Sequence, residues 1–431
     1  MKDILILGAG KSASLLIEYL IEEAPFNHWH IHVADASPEI AASKTGGSDR
    51  ASAYGINLQN IDQLNQLIDI ADIVISMLPP HLHNMVARSC LQHKKHFINA
   101  SYLTPEIMAM DEEARAFDLS FICEMGLDPG IDHMSAMEMI HSIKDAGGMI
   151  NSFRSHCGGL ISPESDDNPW HYKISWNPRN IVMAGYDGAA FLENNQVTHT
   201  SYADLFDPER KVHIPLHGDY AWYPNRDSMA YIEKYDLREA STFVRTTLRH
   251  PDFCLGWKEI VALKLTDESI THDTTDMDIR SFMEAHCKSH HLPAIDISKM
   301  NGIVSSQFAY LGFDSNEKID RGECTAADIL QWITEKKLRL HAGDRDMIIM
   351  LHEIGYTLNG QVQTRNSHLV VKGTDPVHTA MAKTVGLPLA FAAKHVLNGN
   401  IRRKGVFIPV YPDVYSVILP ELKNQGIVFS D

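Results

Sequence analysis

Six residues near the N-terminus, Gly8-Ala9-Gly10-Lys11-Ser12-Ala13, constrain the fold of this chain more than any others. They join an apolar run at residues 4–7 to an amphipathic segment at residues 12–23, so a strand turns directly into a helix. Gly8 permits the tight turn, and Gly10 lets the backbone approach a pyrophosphate. Ala13 is small enough for the helix to pack close on a sheet. Lys11 and Ser12 stand where the first helical N–H groups and the positive dipole end meet an anion. Further apolar runs lie at residues 31–34, 73–78, 97–100 and 120–123, with a helical pattern at 104–116. This alternation is a βαβ rhythm and implies a parallel, doubly wound sheet.

A Rossmann-type dinucleotide-binding domain is therefore expected over residues 1–128. Asp35 closes the second strand in the run HVADAS. A carboxylate there accepts hydrogen bonds from the adenosine ribose and repels a 2′-phosphate, which predicts NAD in preference to NADP. NADP is the second candidate, because Lys11, Lys44 and Arg50 could neutralise that phosphate. Three more strand ends reach the carboxyl edge of the sheet, where ligands of such folds sit. They are Ser76-Met77-Leu78-Pro79, Asn99-Ala100-Ser101-Tyr102 and Glu124-Met125-Gly126-Leu127-Asp128.

At 431 residues the chain exceeds one ordinary core, and its pattern changes near Gly130. A second α/β domain is expected over residues 129–254 and 341–390. A helical insertion without evident strands interrupts it at 255–340. With 55 acidic against 38 basic residues the net charge is −17, which argues against nucleic acid and anionic membranes as partners. No apolar run reaches the roughly 20 residues that span a bilayer, and no cleavable leader is evident. Six cysteines lie far apart without a CxxC pair, which fits reduced thiols and a cytoplasmic enzyme. His28, His30 and His32, and the group His286, Cys287, His290 and His291, lack an accompanying HExxH glutamate. No metal is expected, and these side chains are read as exposed.

The stretch from Cys157 to Arg179, CGGLISPESDDNPWHYKISWNPR, has no regular period. Irregular segments dense in Gly, Pro and polar groups usually shape a site on a rigid scaffold. This one resembles the substrate-domain signature of saccharopine dehydrogenases, the glutamate-forming enzymes of lysine metabolism. GLDPGIDHM at 126–134 and YPNRDS at 223–228 resemble two further signatures of that family. The resemblance implies a cofactor beside Leu78, Pro79, Ala100, Leu127 and Asp128. It places Tyr102, Asp128 and Cys157 around a reacting amine. It gives Arg226 and Arg249 to substrate carboxylates, with Ser101, Thr247 and Leu248 beside them. Lys173 and Arg179 are further cations for cofactor or substrate. A long apolar helix at 378–399 resembles the family's C-terminal helix, which leads the chain back to the cofactor domain over 391–431.

The activity so implied is oxidative cleavage of saccharopine to L-glutamate and 2-aminoadipate 6-semialdehyde. A hydride leaves the carbon beside the secondary amine, water attacks the imine, and the carbinolamine collapses. Such proton transfers need acid/base groups or ordered water within hydrogen-bond reach. A substrate with three carboxylates calls for Arg forks. A carboxynorspermidine-type dehydrogenase of polyamine synthesis is the alternative within the fold, and its amine half would need acids instead. A non-catalytic nucleotide sensor is the alternative outside catalysis, since a fold by itself never establishes activity. The expected partner is a small-molecule substrate, with a homodimer as the assembly.

Overall fold

The computed structural model describes residues 1–431. It forms two compact units, one of Met1–Met149 with Leu369–Ser430 and one built on Ile150–His368.

The first unit holds strands β1 (Lys2–Leu7), β2 (Trp29–Asp35), β3 (Ala51–Gly55), β4 (Ile73–Ser76), β5 (His96–Asn99) and β6 (Ser120–Ile122). They lie in the order β3-β2-β1-β4-β5-β6, with the late strand Gly405–Phe407 beyond β6. All these pairs are parallel. Helices cover such a sheet on both faces, so the central strands read as unbroken apolar runs, and Ile4, Leu5, Ile6 and Leu7 are all fully buried. β3 is different. Its sequence ASAYG sits half-exposed at the sheet edge and carries no apolar signal, which is why periodicity does not reveal it.

The two ends of this unit differ from the sequence expectation. The helix Ile131–Asp145, assigned to the second domain, packs on helix Pro412–Asn424, where His141 and the Tyr415 hydroxyl meet at 2.8 Å. The helix Ala380–Leu397 lies whole against Ser14–Asn27, so the chain rejoins this unit from Leu369 and not from residue 391. Both helices are buried over most of their length, and only packing tells which unit each one joins.

The second unit holds β7 (Met149–Ile161), β8 (Ala189–Glu193), β9 (Gln196–Thr200), β10 (Lys211–Ile214), β11 (Gly218–Pro224) and β12 (Thr242–Arg249). Next come β13 (Thr271–Asp273), β14 (Glu323–Thr325), β15 (Asp346–Leu358) and β16 (Gln361–Lys372). Its sheet runs β10-β11-β12-β7-β15-β16, and β8 joins β12 and β9 at the side. Trp170, Tyr172, Phe253 and Trp257 pack together in its core with the helices Pro251–Ala262, Gly302–Leu311 and Ala326–Lys337. The segment at 255–340 is not purely helical: β13 and β14 form a two-stranded ladder, three residues each, too short to leave a periodic trace. His32 and Cys287, expected to be exposed, are buried, and His286 is a further correction. It is fully buried, its Nε2 lies 2.9 Å from the Leu263 carbonyl, and burial pushes its pKa down to about 4.

All six cysteines are buried and none is in a disulfide. No helix is long and apolar enough to cross a membrane.

Candidate active site

In the first unit the loops after β1, β4, β5 and β6 gather at one edge of the sheet. Gly8 has φ +98°, and a Cβ there would stand 2.9 Å from the Met77 carbonyl oxygen, so only glycine lets this turn cross the end of β4. Around Gly10 the outer side of the loop is open, with no atom within 4 Å of where a Cβ would be. Lys11–Ala13 forms a short 3-10 turn that leads into the helix Ser14–Asn27. A cradle of this shape fits the pyrophosphate of a dinucleotide.

Asp35 has another task than the one its position suggests. Its Oδ2 accepts the Ala9 N–H at 2.8 Å and its Oδ1 accepts the Ser37 N–H at 3.0 Å. The carboxylate thus ties the glycine loop to the start of the next helix. Lys44, on the helix Pro38–Thr45, reaches back to donate to Ser14 Oγ at 2.5 Å, which brings an ammonium group to the first turn of the nucleotide helix.

Around the β5 and β6 loops the connections are dense. Ser101 Oγ meets His83 Nε2 at 2.8 Å, and His83 Nδ1 meets Ser76 Oγ at 2.9 Å. Burial first, and His81 second, push His83 down to about 4, so its ring is neutral and passes one proton's direction along the chain of hydroxyls. Glu124 is buried and joins both loops: its Oε1 accepts the Leu103 N–H at 3.1 Å, and its Oε2 meets His133 Nε2 at 2.8 Å. The Ser101 carbonyl accepts the Glu124 N–H at 3.0 Å. Tyr102 and Asp128 flank this hub, both half-buried.

Asp128 stands in a turn closed on itself. Gly126 N–H donates to the Pro129 carbonyl at 2.9 Å, and Gly130 N–H donates to Asp132 Oδ1 at 2.6 Å. Gly130 has φ +147°, and a Cβ would lie 2.1 Å from the Gly126 oxygen. The first unit therefore brings together Gly8, Gly10, Lys11, Ser12, Ala13, Leu78, Pro79, Ala100, Ser101, Tyr102, Leu127 and Asp128. His83 and Glu124 support them. Sequence reasoning gives neither a role: Glu124 is a polar residue just past an apolar strand, and His83 opens the helix that follows another.

In the second unit a polar row crosses three strands. Tyr223 of β11 is opposite Thr247 of β12, and Thr247 is opposite Cys157 of β7. Residues in register point to the same face, so these three side chains lie abreast, and Arg249 follows two positions on. The Tyr223 and Thr247 hydroxyls are bonded, and burial raises the Tyr223 pKa, so the phenol stays protonated.

Arg249 is 4% exposed. Its Nη1 donates to the carbonyls of Leu248 at 2.8 Å and Gly159 at 3.4 Å. The guanidinium lies 5.2 Å from the Tyr172 ring centre and 5.5 Å from that of Phe253. No carboxylate pairs with it, and its Nε has no partner. Burial works against its charge, yet its pKa is raised, with phenol and thiol groups and no carboxylate around it. A buried cation without an acid is costly to keep, because no opposite charge offsets its desolvation.

The other cations are exposed or already paired with acids. Arg226 is exposed on the turn after β11, with φ 54° and its carbonyl bonded to the Ala190 N–H at 3.0 Å. Arg179 pairs with Asp328 at 3.0 Å and with Glu268, and Lys173 is buried between Asp167 and Asp344 at 2.9 and 2.8 Å. Their charges are matched within the unit, so both act there as internal struts.

Comparison with known proteins bears on these two sets of residues. A family model described as the saccharopine dehydrogenase NADP binding domain matches residues 4–120, and one described as the saccharopine dehydrogenase C-terminal domain matches residues 126–427. A Pyricularia oryzae protein named saccharopine dehydrogenase [NADP(+), L-glutamate-forming] is 31% identical over 98% of this chain and 97% of its own length. Bovine alpha-aminoadipic semialdehyde synthase, mitochondrial, is 33% identical over 100% of this chain. This chain spans 47% of the bovine protein, about half its length. The apo structure of L-Glu-forming saccharopine dehydrogenase from Saccharomyces cerevisiae superposes with a TM-score of 0.86 at 29% identity, covering 100% of this chain and 99% of the other.

These matches overturn the expected preference for NAD. The matching nucleotide domain is described as NADP-binding, and the Pyricularia and two yeast relatives are named as NADP(+) enzymes. The physical reason lies at Asp35, whose oxygens are both engaged by backbone N–H groups, so its presence does not report on the ribose. With both domains matched in order along the chain, and relatives of like length covered nearly end to end, the chain belongs to the saccharopine dehydrogenase family.

Proposed function

We propose that this chain interconverts saccharopine with L-glutamate and 2-aminoadipate 6-semialdehyde, using NADP. The observation that carries the reading is Arg249, a buried guanidinium with no carboxylate of its own. A saccharopine carboxylate would supply the missing partner through a charge-assisted pair. Thr247 and Tyr223, abreast on the neighbouring strands, offer hydroxyls to the same anion. The names of the Pyricularia and Saccharomyces relatives support the same substrate.

The dinucleotide supplies the hydride acceptor, and Gly8, Gly10, Lys11 and Ser12 are the residues that would hold its phosphates. Lys44, beside the first helical turn, would balance a 2′-phosphate. Tyr102, Asp128 and Cys157 are the groups proposed to hold the amine and handle its protons. The His83 ring keeps the Ser101 hydroxyl oriented while remaining neutral.

The test is dinucleotide reduction on adding saccharopine, run with NADP and NAD and beside carboxynorspermidine. Turnover of saccharopine with NADP is the expected result. Turnover of carboxynorspermidine alone would reassign the substrate, and dinucleotide binding without any turnover would make the chain a sensor.

A further inference from the structure

A histidine pair in the second unit takes no part in the proposed reaction. His171 and His250 stack with ring centres 3.9 Å apart. Asp166 Oδ2 lies 2.6 Å from His171 Nδ1, which places the proton on Nδ1 and leaves Nε2 with a lone pair. That Nε2 is 3.4 Å from Asp252 Oδ2. His250 Nδ1 is 3.8 Å from the same carboxylate oxygen and accepts the Asp252 N–H at 3.2 Å, so it too carries a lone pair. One ligand atom from each of His171, His250 and Asp252 thus falls within 4.8 Å of the others.

We infer that His171, His250 and Asp252 bind a divalent transition-metal ion of the zinc class, with Asp166 holding the His171 ring. Metal–nitrogen and metal–oxygen bonds of about 2.0–2.1 Å give a tetrahedral ligand-to-ligand edge of roughly 3.3 Å. The two separations to Asp252, 3.4 and 3.8 Å, are close to that edge, and the two rings must tilt out of their 3.9 Å stack for both nitrogen lone pairs to aim at one ion. Two imidazoles and a carboxylate suit zinc, while calcium and magnesium require oxygen ligands. The Asp166 carboxylate behind a ligating ring is the usual outer partner of such a site. Three protein ligands leave one position for water or an anion. The ligands sit on firm supports: His250 caps the helix Pro251–Ala262, Asp252 is in its first turn, and the His171 N–H donates to the Asn168 carbonyl at 3.0 Å. The ion would exchange that helix cap for a metal bond and link the loop at 166–171 to the helix.

The test is zinc competition between the chelator-treated full chain and a chromophoric chelator, with cobalt absorption as a second readout. One equivalent per chain is expected, with a visible spectrum of tetrahedral cobalt. His171→Ala and His250→Ala should each weaken binding at least about a hundredfold, and Asp166→Asn roughly tenfold. Asp252→Asn keeps shape and cap while removing the charge, so its loss of zinc, with unchanged circular dichroism, serves if an alanine variant does not fold. His213→Ala, at an exposed histidine of β10, should change nothing. A wild-type chain with no saturable equivalent, or ligand variants that keep it, would overturn the site. None of these readouts depends on the substrate or cofactor.

Discussion

Arg249 and Asp35 show how one side chain's surroundings decide its use. A buried guanidinium left without an acid costs several kcal/mol, and a ligand carboxylate recovers much of that. Arg249→Met should therefore raise the KM for saccharopine at least about thirtyfold, equivalent to about 2 kcal/mol, while leaving the Tm of the ligand-free protein equal or higher. Steady-state kinetics and thermal unfolding of the same variant check both halves. A lowered Tm with unchanged KM would make the residue merely structural. For Asp35→Ala the expectation is loss of NADP and NAD binding together, by about 1–3 kcal/mol, because the Ala9 and Ser37 N–H groups lose their acceptor. Fluorescence titration with both reduced cofactors measures it. The residue types were legible in the sequence: HVADAS announces an acid at a strand end, and TLR announces a cation. Whether the acid faces the ligand or the loop was not, since two hydrogen bonds to backbone N–H groups make the difference.

The turn at 126–130 and the row Tyr223–Thr247–Cys157 show the same at the scale of elements. In the turn, Gly130→Ala would drive a Cβ into the Gly126 oxygen and must displace Asp128. Activity should be lost, and the Tm should fall by an amount corresponding to about 1–3 kcal/mol or more, since φ +147° is open in practice only to glycine. Thermal unfolding and turnover in parallel check this. The glycines of GLDPG were visible as a motif, and the backbone now gives the reason for them. The row across β11, β12 and β7 was not visible, because register between strands far apart in sequence is set by the whole sheet. The same holds for His83 and Glu124, which bridge loops whose meeting no local pattern encodes, and for His171 with His250.

At the scale of the molecule, His83 in the first unit and His286 in the second are each held neutral, with burial the largest cause and pKa about 4. Below pH 6.5 the unfolded chain takes up protons that the folded chain refuses. Stability is therefore intact above about pH 6.5 and falls as the pH drops towards 4, by up to about 3 kcal/mol for each histidine. Thermal unfolding from pH 7.5 to 4 should show Tm falling in that window, and His83→Asn should remove that ring's share while leaving the share of His96, which burial also lowers to about 4. A Tm independent of pH across this range would contradict the buried, neutral state of both rings.

The sequence by itself determined the parallel nucleotide-binding sheet, its phosphate loop, the strand ends that carry Tyr102 and Asp128, and the family. Each of these is written in short-range pattern, through strand and helix periods and through glycines with no substitute. Only the tertiary structure decided that Asp35 serves the loop, that Arg179 and Lys173 are matched by acids, and that Arg249 is buried without one. It also decided which sheet the helices Ile131–Asp145 and Ala380–Leu397 cover. The reason is physical: charge balance and burial belong to groups brought together from distant parts of the chain, and a sequence lists those groups without saying which will meet.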